Sequence, residues 1–188
     1  MIQGNPFRSA VGIALLLVVM AGPALGGDAG IGSIPEEFFL NEFRLGAFVH
    51  DPLSPERAGG VDLNAEVLFA KPWGTAAEWW LPRPHVGTTL NFEDQTSTVY
   101  AGATWQFDLT STVFAEASFG GSLNNADTNN AETSALGCPL LFRSSASLGY
   151  RLTTHWQVMA SIEHNSNAGL CDRNRGLTNG GLRLGYRF

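Results

Sequence analysis

The chain has 188 residues, a net charge of −6 and a sequence pI near 5.1. That length suits one domain, and the acidic balance without a basic cluster excludes a nucleic-acid partner. Only 15% of residues are charged, Lys71 is the single lysine, and mean hydropathy is +0.01, as expected where apolar residues are spread by alternation rather than massed in blocks.

The N-terminus has the layout of a secretory signal. Arg8 supplies the positive region, Ala10–Met20 an apolar run, Pro23 a break, and Ala24-Leu25-Gly26 small residues at the cleavage position. The expected domain layout is a signal peptide over 1–26, a periplasmic lead-in over 27–41 and a barrel over 42–188. No other apolar run is long enough for a membrane-spanning helix.

From Glu42 the pattern is period-two, which places alternate side chains on opposite strand faces. Strands are expected at Glu42–Val49, Gly60–Ala70, His85–Phe92, Thr98–Phe107, Thr112–Gly120, Leu141–Leu152, from His155 to about Ser166, and at Gly181–Phe188. Each sets an apolar row against a polar one. In the second, Val61, Leu63, Ala65 and Val67 oppose Asp62, Asn64 and Glu66. In the sixth, Phe142, Ala146, Leu148 and Tyr150 oppose Arg143, Ser145 and Ser147. The connections alternate as well. Asp108–Ser111 and Thr153-Thr154 are tight, whereas 50–59, 121–140 and 167–180 are long and polar, and Glu93–Ser97 is a short member of that outer set. Pro72–Pro82 is long for a periplasmic turn, and its Trp73, Trp79 and Trp80 suit an interfacial aromatic belt.

These features predict an all-β fold, an eight-stranded antiparallel transmembrane β-barrel. Its apolar rows would face lipid and its mixed Asp, Glu and Arg rows would fill a lumen too narrow to be a pore. The competing arrangement is a soluble, lipid-carrying barrel with the faces reversed. The ending GLRLGYRF, aromatic at Phe188 and in alternating register, resembles the C-terminal signal of bacterial outer-membrane barrels and favours the membrane. Cys138 and Cys171 fall in the two longest outer loops, and in an exported chain they are expected to form one disulfide.

The seventh strand carries the candidate chemistry. Its even row, Trp156, Val158, Ala160 and Ile162, is apolar until His164 and Ser166. A serine hydroxyl is a weak nucleophile that needs a base within reach, and a strand places i and i+2 on one face. A lone HxS pair is a weak signal. Here it interrupts a lipid-facing row near its outer end, where an unpartnered imidazole is costly, although polar residues are cheap at the headgroup level.

The segment His164-Asn165-Ser166-Asn167-Ala168-Gly169-Leu170 resembles the HxSNAG motif of the outer-membrane lipid A 3-O-deacylases (PagL type). The eight-strand pattern, the export signal and the GLRLGYRF ending extend the likeness, but the detailed motif match covers only about the last thirty residues. The resemblance implies His164 as general base, Ser166 as nucleophile, and a site on the barrel exterior. It implies that Asn167 and Gly169 are motif residues supporting the site and that Asn174 helps form the oxyanion hole. The family's acid follows the histidine by about fourteen residues, and that position here is Thr178. Thr has no carboxylate to orient the imidazole or stabilise its cation. Glu163 points to the other strand face. Asp172, in the outer loop, is the alternative acid if the loop folds back; otherwise the site is a His–Ser dyad.

The implied function is a serine esterase of the bacterial outer membrane that removes the ester-linked 3-position acyl chain of lipid A. Its partners would be lipid A or lipopolysaccharide in the outer leaflet and the membrane itself, with self-association left open. No metal or cofactor is implied, because no His/Asp/Glu cluster has ligand spacing. The alternative is a non-enzymatic eight-stranded barrel that serves the membrane structurally or presents its loops.

Overall fold

In the computed structural model the chain is described over residues 40–54, 60–71, 80–93, 95–126 and 136–188. The signal peptide, nearly all of the lead-in, Trp73 and Trp79 lie outside these residues. Eight strands follow in order: β1 (Glu42–Val49), β2 (Val61–Leu68), β3 (Arg83–Asn91), β4 (Thr98–Asp108), β5 (Val113–Asn124), β6 (Leu140–Arg151), β7 (Trp156–Ser166) and β8 (Leu177–Arg187). Each pairs antiparallel with its sequence neighbour, and β1 pairs with β8 to close the barrel.

Two boundaries depart from the expectation in ways that matter. β5 runs on to Asn124 because Gly121–Asn124 continue to pair with β4 and, through Leu123, with β6. β8 begins at Leu177 rather than Gly181, because Leu177–Gly180 pair with Ile162–Asn165 of β7. Both residue sets read locally as loop, being rich in Gly, Asn and Ser or Thr, and the partner strand recruits them.

The alternation has its apolar side outward. Leu45, Leu63, Phe119, Leu148, Val158, Ile162, Leu182 and Leu184 are exposed, whereas Arg44, Glu66, Glu116, Arg143, Glu163 and Arg183 are buried. This is the membrane arrangement, the inverse of a soluble lipid-carrying barrel. The lumen is a web of ion pairs. Arg44 forks onto Glu116 at 2.7 and 2.8 Å, Arg83 reaches Glu42 at 2.7 Å, and Arg143 reaches Glu163 at 2.7 Å. Arg143 also lies 3.6 Å from the centre of the Tyr100 ring. A charge buried among strands is tolerated only when paired and hydrogen-bonded, and these side chains leave the barrel filled.

The two ends differ. At one, the tight turns are closed by hydroxyls. Thr110 Oγ1 accepts from the Val113 amide at 2.8 Å, and Thr153 Oγ1 from the Trp156 amide at 2.9 Å. Trp156, Tyr186 and Phe188 pack edge to face there, as an interfacial girdle does. At the other end Leu136, Leu141 and Leu177 form a small buried cluster that caps the charged lumen. The expected disulfide between Cys138 and Cys171 ties the loop before β6 to the loop after β7, with Cα atoms 6.2 Å apart.

Candidate functional site

His164 and Ser166 end the outward row of β7 at the capped end of the barrel. His164 is exposed and Ser166 half-buried. Two strand positions span roughly 6.6 Å of backbone, so the imidazole and the hydroxyl stand one above the other on the same face. Across β6, Ser144 stands opposite His164 and Phe142 opposite Ser166. Phe142 stacks on Phe119, their ring centres 6.1 Å apart, which gives Ser166 an exposed aromatic flank.

Across β8 the register partner of His164 is Thr178, and His164 Nδ1 lies 2.8 Å from Thr178 Oγ1. The residue before β8, Gly176, presents bare backbone to the same ring. Its φ is +73°, and a Cβ there would come within 2.7 Å of His164 Cε1. Any other residue at 176 would therefore be strained in backbone and would push on the imidazole.

The loop after Ser166 is built by Asn167. Ala168 and Gly169 both adopt the left-handed conformation, with φ of 55° and 80°. That conformation is costly for an alanine, and the Asn167 side chain holds it by accepting the Gly169 amide at 2.8 Å. The Asn167 Nδ2 group donates to the carbonyls of Leu136 and Arg173, at 2.7 and 2.5 Å. The Asn167 amide donates to Asn174 Oδ1 at 2.9 Å. Asn167 is buried; its amide and Oδ1 bonds shape its own loop, and its Nδ2 bond to Leu136 joins that loop to the one before β6. Gly137, on the other loop, approaches so closely that a Cβ would sit 2.0 Å from the Arg173 carbonyl oxygen.

The residues singled out in the sequence are distributed as follows. His164, Ser166, Asn167, Gly169 and Asn174 are brought together around one loop. The Gly169 amide is taken by Asn167, whereas no described hydrogen bond uses Asn174 Nδ2. Asp172 is exposed on the loop, and no described contact joins it to His164; the structure gives Nδ1 to Thr178 instead. Glu163 points inward, bonded to Arg143 and Thr89. Sequence reasoning missed Gly176, Ser144 and the Phe119–Phe142 pair. Strand parity was the available signal for Ser144 and Phe142, and it needed only the β6–β7 register. Among the described residues no group of three or more His, Cys, Asp or Glu side chains could hold a metal.

Below the site, the outward faces of β1, β8, β7 and β6 form an open apolar depression, lined in part by Ala47, Leu182, Leu184, Val158, Ala160 and Leu148. Small residues at 47 and 160 make its floor, and the leucines stand as its walls.

Residues 58–187 match the family described as lipid A 3-O-deacylase (PagL). Among solved structures, the crystal structure of the outer membrane enzyme PagL is similar, with a TM-score of 0.58 at 19% identity over 77% of this chain and 99% of that one. A barrel from the de novo design of transmembrane β-barrels has a TM-score of 0.50 at 13% identity, over 81% of this chain and 99% of that one. At these identities the structural likeness speaks for the fold. No curated protein matches the chain. The family match, by contrast, is one of sequence, and it runs from before β2 to the end of β8 through the whole of the His164–Gly169 motif. The chain belongs to the lipid A 3-O-deacylase (PagL) family.

Proposed function

We propose that the protein is an outer-membrane serine esterase that removes the ester-linked 3-position acyl chain of lipid A. The observation that carries the reading is the pairing of His164 and Ser166 on the outward face, at the end of the barrel where a lipid's ester linkage would lie. A site on the exterior suits a substrate that is itself a membrane lipid, since no substrate could enter the filled lumen. The apolar depression below offers acyl chains a surface continuous with the bilayer core.

In this mechanism His164 Nε2 takes the proton from Ser166 Oγ as Oγ attacks the ester carbonyl. The Asn174 side-chain amide is the group best suited to donate to the oxyanion that forms. Collapse breaks the bond to the sugar oxygen, which takes the proton from Nε2 and leaves as the free 3-hydroxyl. Water then attacks the acyl-enzyme with His164 again as base. The products are a 3-hydroxy fatty acid and a restored Ser166. Asn167 and Gly169 shape the loop and stand outside the chemistry.

The test is mass spectrometry of lipid A from cells expressing the parent or Ser166→Ala. The reading expects lipid A lighter by one 3-hydroxyacyl chain with the parent alone. One observation favours a second reading, a barrel without enzymatic activity: the neighbour of His164 is a neutral threonine. Unmodified lipid A with the parent, from correctly inserted protein, would decide for it.

A further inference from the structure

Among the described residues, every outward neighbour of His164 is uncharged. Ser144 flanks it from β6, Thr178 from β8, and Ile162 and Ser166 lie before and after it in its own row. From the loop packed over the ring, Gly176 supplies backbone alone. Asp172, Arg173 and Arg175 of that loop are exposed, with no described contact to the imidazole. The nearest lumen charges, Glu163 and Arg143, are turned inward and bonded to each other. The only described hydrogen bond of the ring is the 2.8 Å contact from Nδ1 to Thr178 Oγ1.

We propose that Thr178 is the positioning residue for His164, its hydroxyl standing where a carboxylate would otherwise orient the ring. The inference rests on the esterase reading above. A neutral imidazole can act as base at Nε2 only if its proton sits on Nδ1. Thr178 Oγ1 accepts that Nδ1 proton, which leaves the Nε2 lone pair for Ser166. A hydroxyl can accept from Nδ1–H or donate to a bare Nδ1, so the contact orients the ring in either tautomer, and catalysis draws on the Nδ1-protonated one. Thr178 does not stabilise the imidazolium that forms during attack as a carboxylate does, because a neutral hydroxyl carries no charge to oppose that of the ring. Orientation and charge stabilisation, combined in a Ser-His-Asp triad, are here separated: the first is kept and the second is absent.

The position of Thr178 makes this a property of the barrel. Thr178 lies in the segment that β7 recruits into β8, and it reaches the ring because the pairing places it directly opposite residue 164. The hydroxyl is therefore held by two hydrogen-bonded strands rather than by a loop.

The experiment compares the parent with Thr178→Val, Thr178→Ser and Thr178→Glu in one detergent–lipid A deacylation assay, each variant first checked for folding by heat-modifiable gel mobility. Thr178→Val should lower kcat roughly ten- to hundredfold with KM nearly unchanged, since only proton transfer is impaired. Thr178→Ser should restore most of the rate. Thr178→Glu should raise kcat and move the acidic limb of the kcat/KM profile to higher pH, because a carboxylate favours the protonated ring. A Thr178→Val enzyme with the parent's kcat, or a Thr178→Ser enzyme as slow as Thr178→Val, would overturn the proposal. A second readout is independent of turnover: side-chain nitrogen NMR of His164 in micelles should show Nδ1 hydrogen-bonded in the parent and released in Thr178→Val. An inactive parent would remove the esterase reading, and the nitrogen measurement would still decide the role of Thr178. An unchanged Nδ1 signal would end it.

Discussion

The lumen and the outer rim of the same strands handle polar groups in opposite ways. Inside, Arg44, Arg83, Arg143 and Arg183 are matched against Glu42, Glu66, Glu116 and Glu163, with contacts shared among several partners. On the outside, at the end of β7, one imidazole is held by one hydroxyl. β7 contributes to both regions through adjacent residues: Glu163 to the web and His164 to the site. The charge web fills the barrel, and removal of a member leaves its neighbours buried with one partner fewer. The rim group can be changed with little effect on the barrel, because its surroundings are open and neutral. Stability and chemistry are thus separated by the two faces of the strands.

That contrast can be broken most sharply at Ser166 and His164. Ser166→Ala and His164→Asn should each reduce lipid A deacylation by about a thousandfold or more, while heat-modifiable mobility and urea resistance stay at the parent's values. A large loss of folding in either variant would mean that the rim is structural after all.

The reverse experiment lies in the lumen. Glu116→Ala takes from the Arg44 guanidinium the carboxylate it forks onto at 2.7 and 2.8 Å, leaving it Glu42 and Glu66, and weakens the hold on Arg83 at 3.1 Å. Breaking a buried pair costs about 3–5 kcal/mol where it leaves a charge uncompensated; the carboxylates that remain keep the cost below that, and it is read as a lower urea midpoint of unfolding in micelles. Glu116 is on the half of the barrel away from the site, so the fraction that remains folded should deacylate at the parent's rate.

Between these extremes stands Asn167, which belongs to neither the web nor the row. Asn167→Ala removes the bonds to Leu136, Arg173 and Gly169. With the Cys138–Cys171 link still in place, the barrel should keep its urea midpoint while kcat falls roughly tenfold, as loosely placed groups cost catalysis before stability. Equal losses in midpoint and rate would make Asn167 part of the barrel rather than of the site.

The smallest effect is expected at Asp172. Its side chain is exposed, with no described contact to His164, and an exposed charge contributes little. Asp172→Asn should therefore leave kcat within about twofold of the parent. A loss of orders of magnitude would show that the loop swings its carboxylate onto the ring during turnover.

Much of this was open to reading from the residues alone. The strands, their alternation, the two classes of connection and the HNSNAG motif are local patterns, whereas the side that turns outward is shown by the closed barrel. The disulfide was readable because an exported chain with one cysteine in each of two outer loops has a single internal pairing open to it. The role of Asn167 was not readable: in the sequence it is a motif residue beside a nucleophile, whereas in the fold it is buried and bonds to Leu136, thirty-one positions away. Leu136 and Leu177, likewise, sit in loop-like sequence and become apolar core only because they meet over the lumen.

The sequence by itself determined that this is an alternating eight-stranded chain with a His–Ser pair on one strand face, because strand periodicity is a property of neighbouring residues. Only the tertiary structure decided which neighbours that pair has. Thr178 shares the parity of His164, but parity cannot cross a loop. The closed barrel and the β7–β8 register carry Thr178 into β8 and set its hydroxyl against the imidazole. The physical reason is that side-chain alternation is set within one strand, whereas cross-strand register is set by hydrogen bonds between strands and by the closure of the whole sheet.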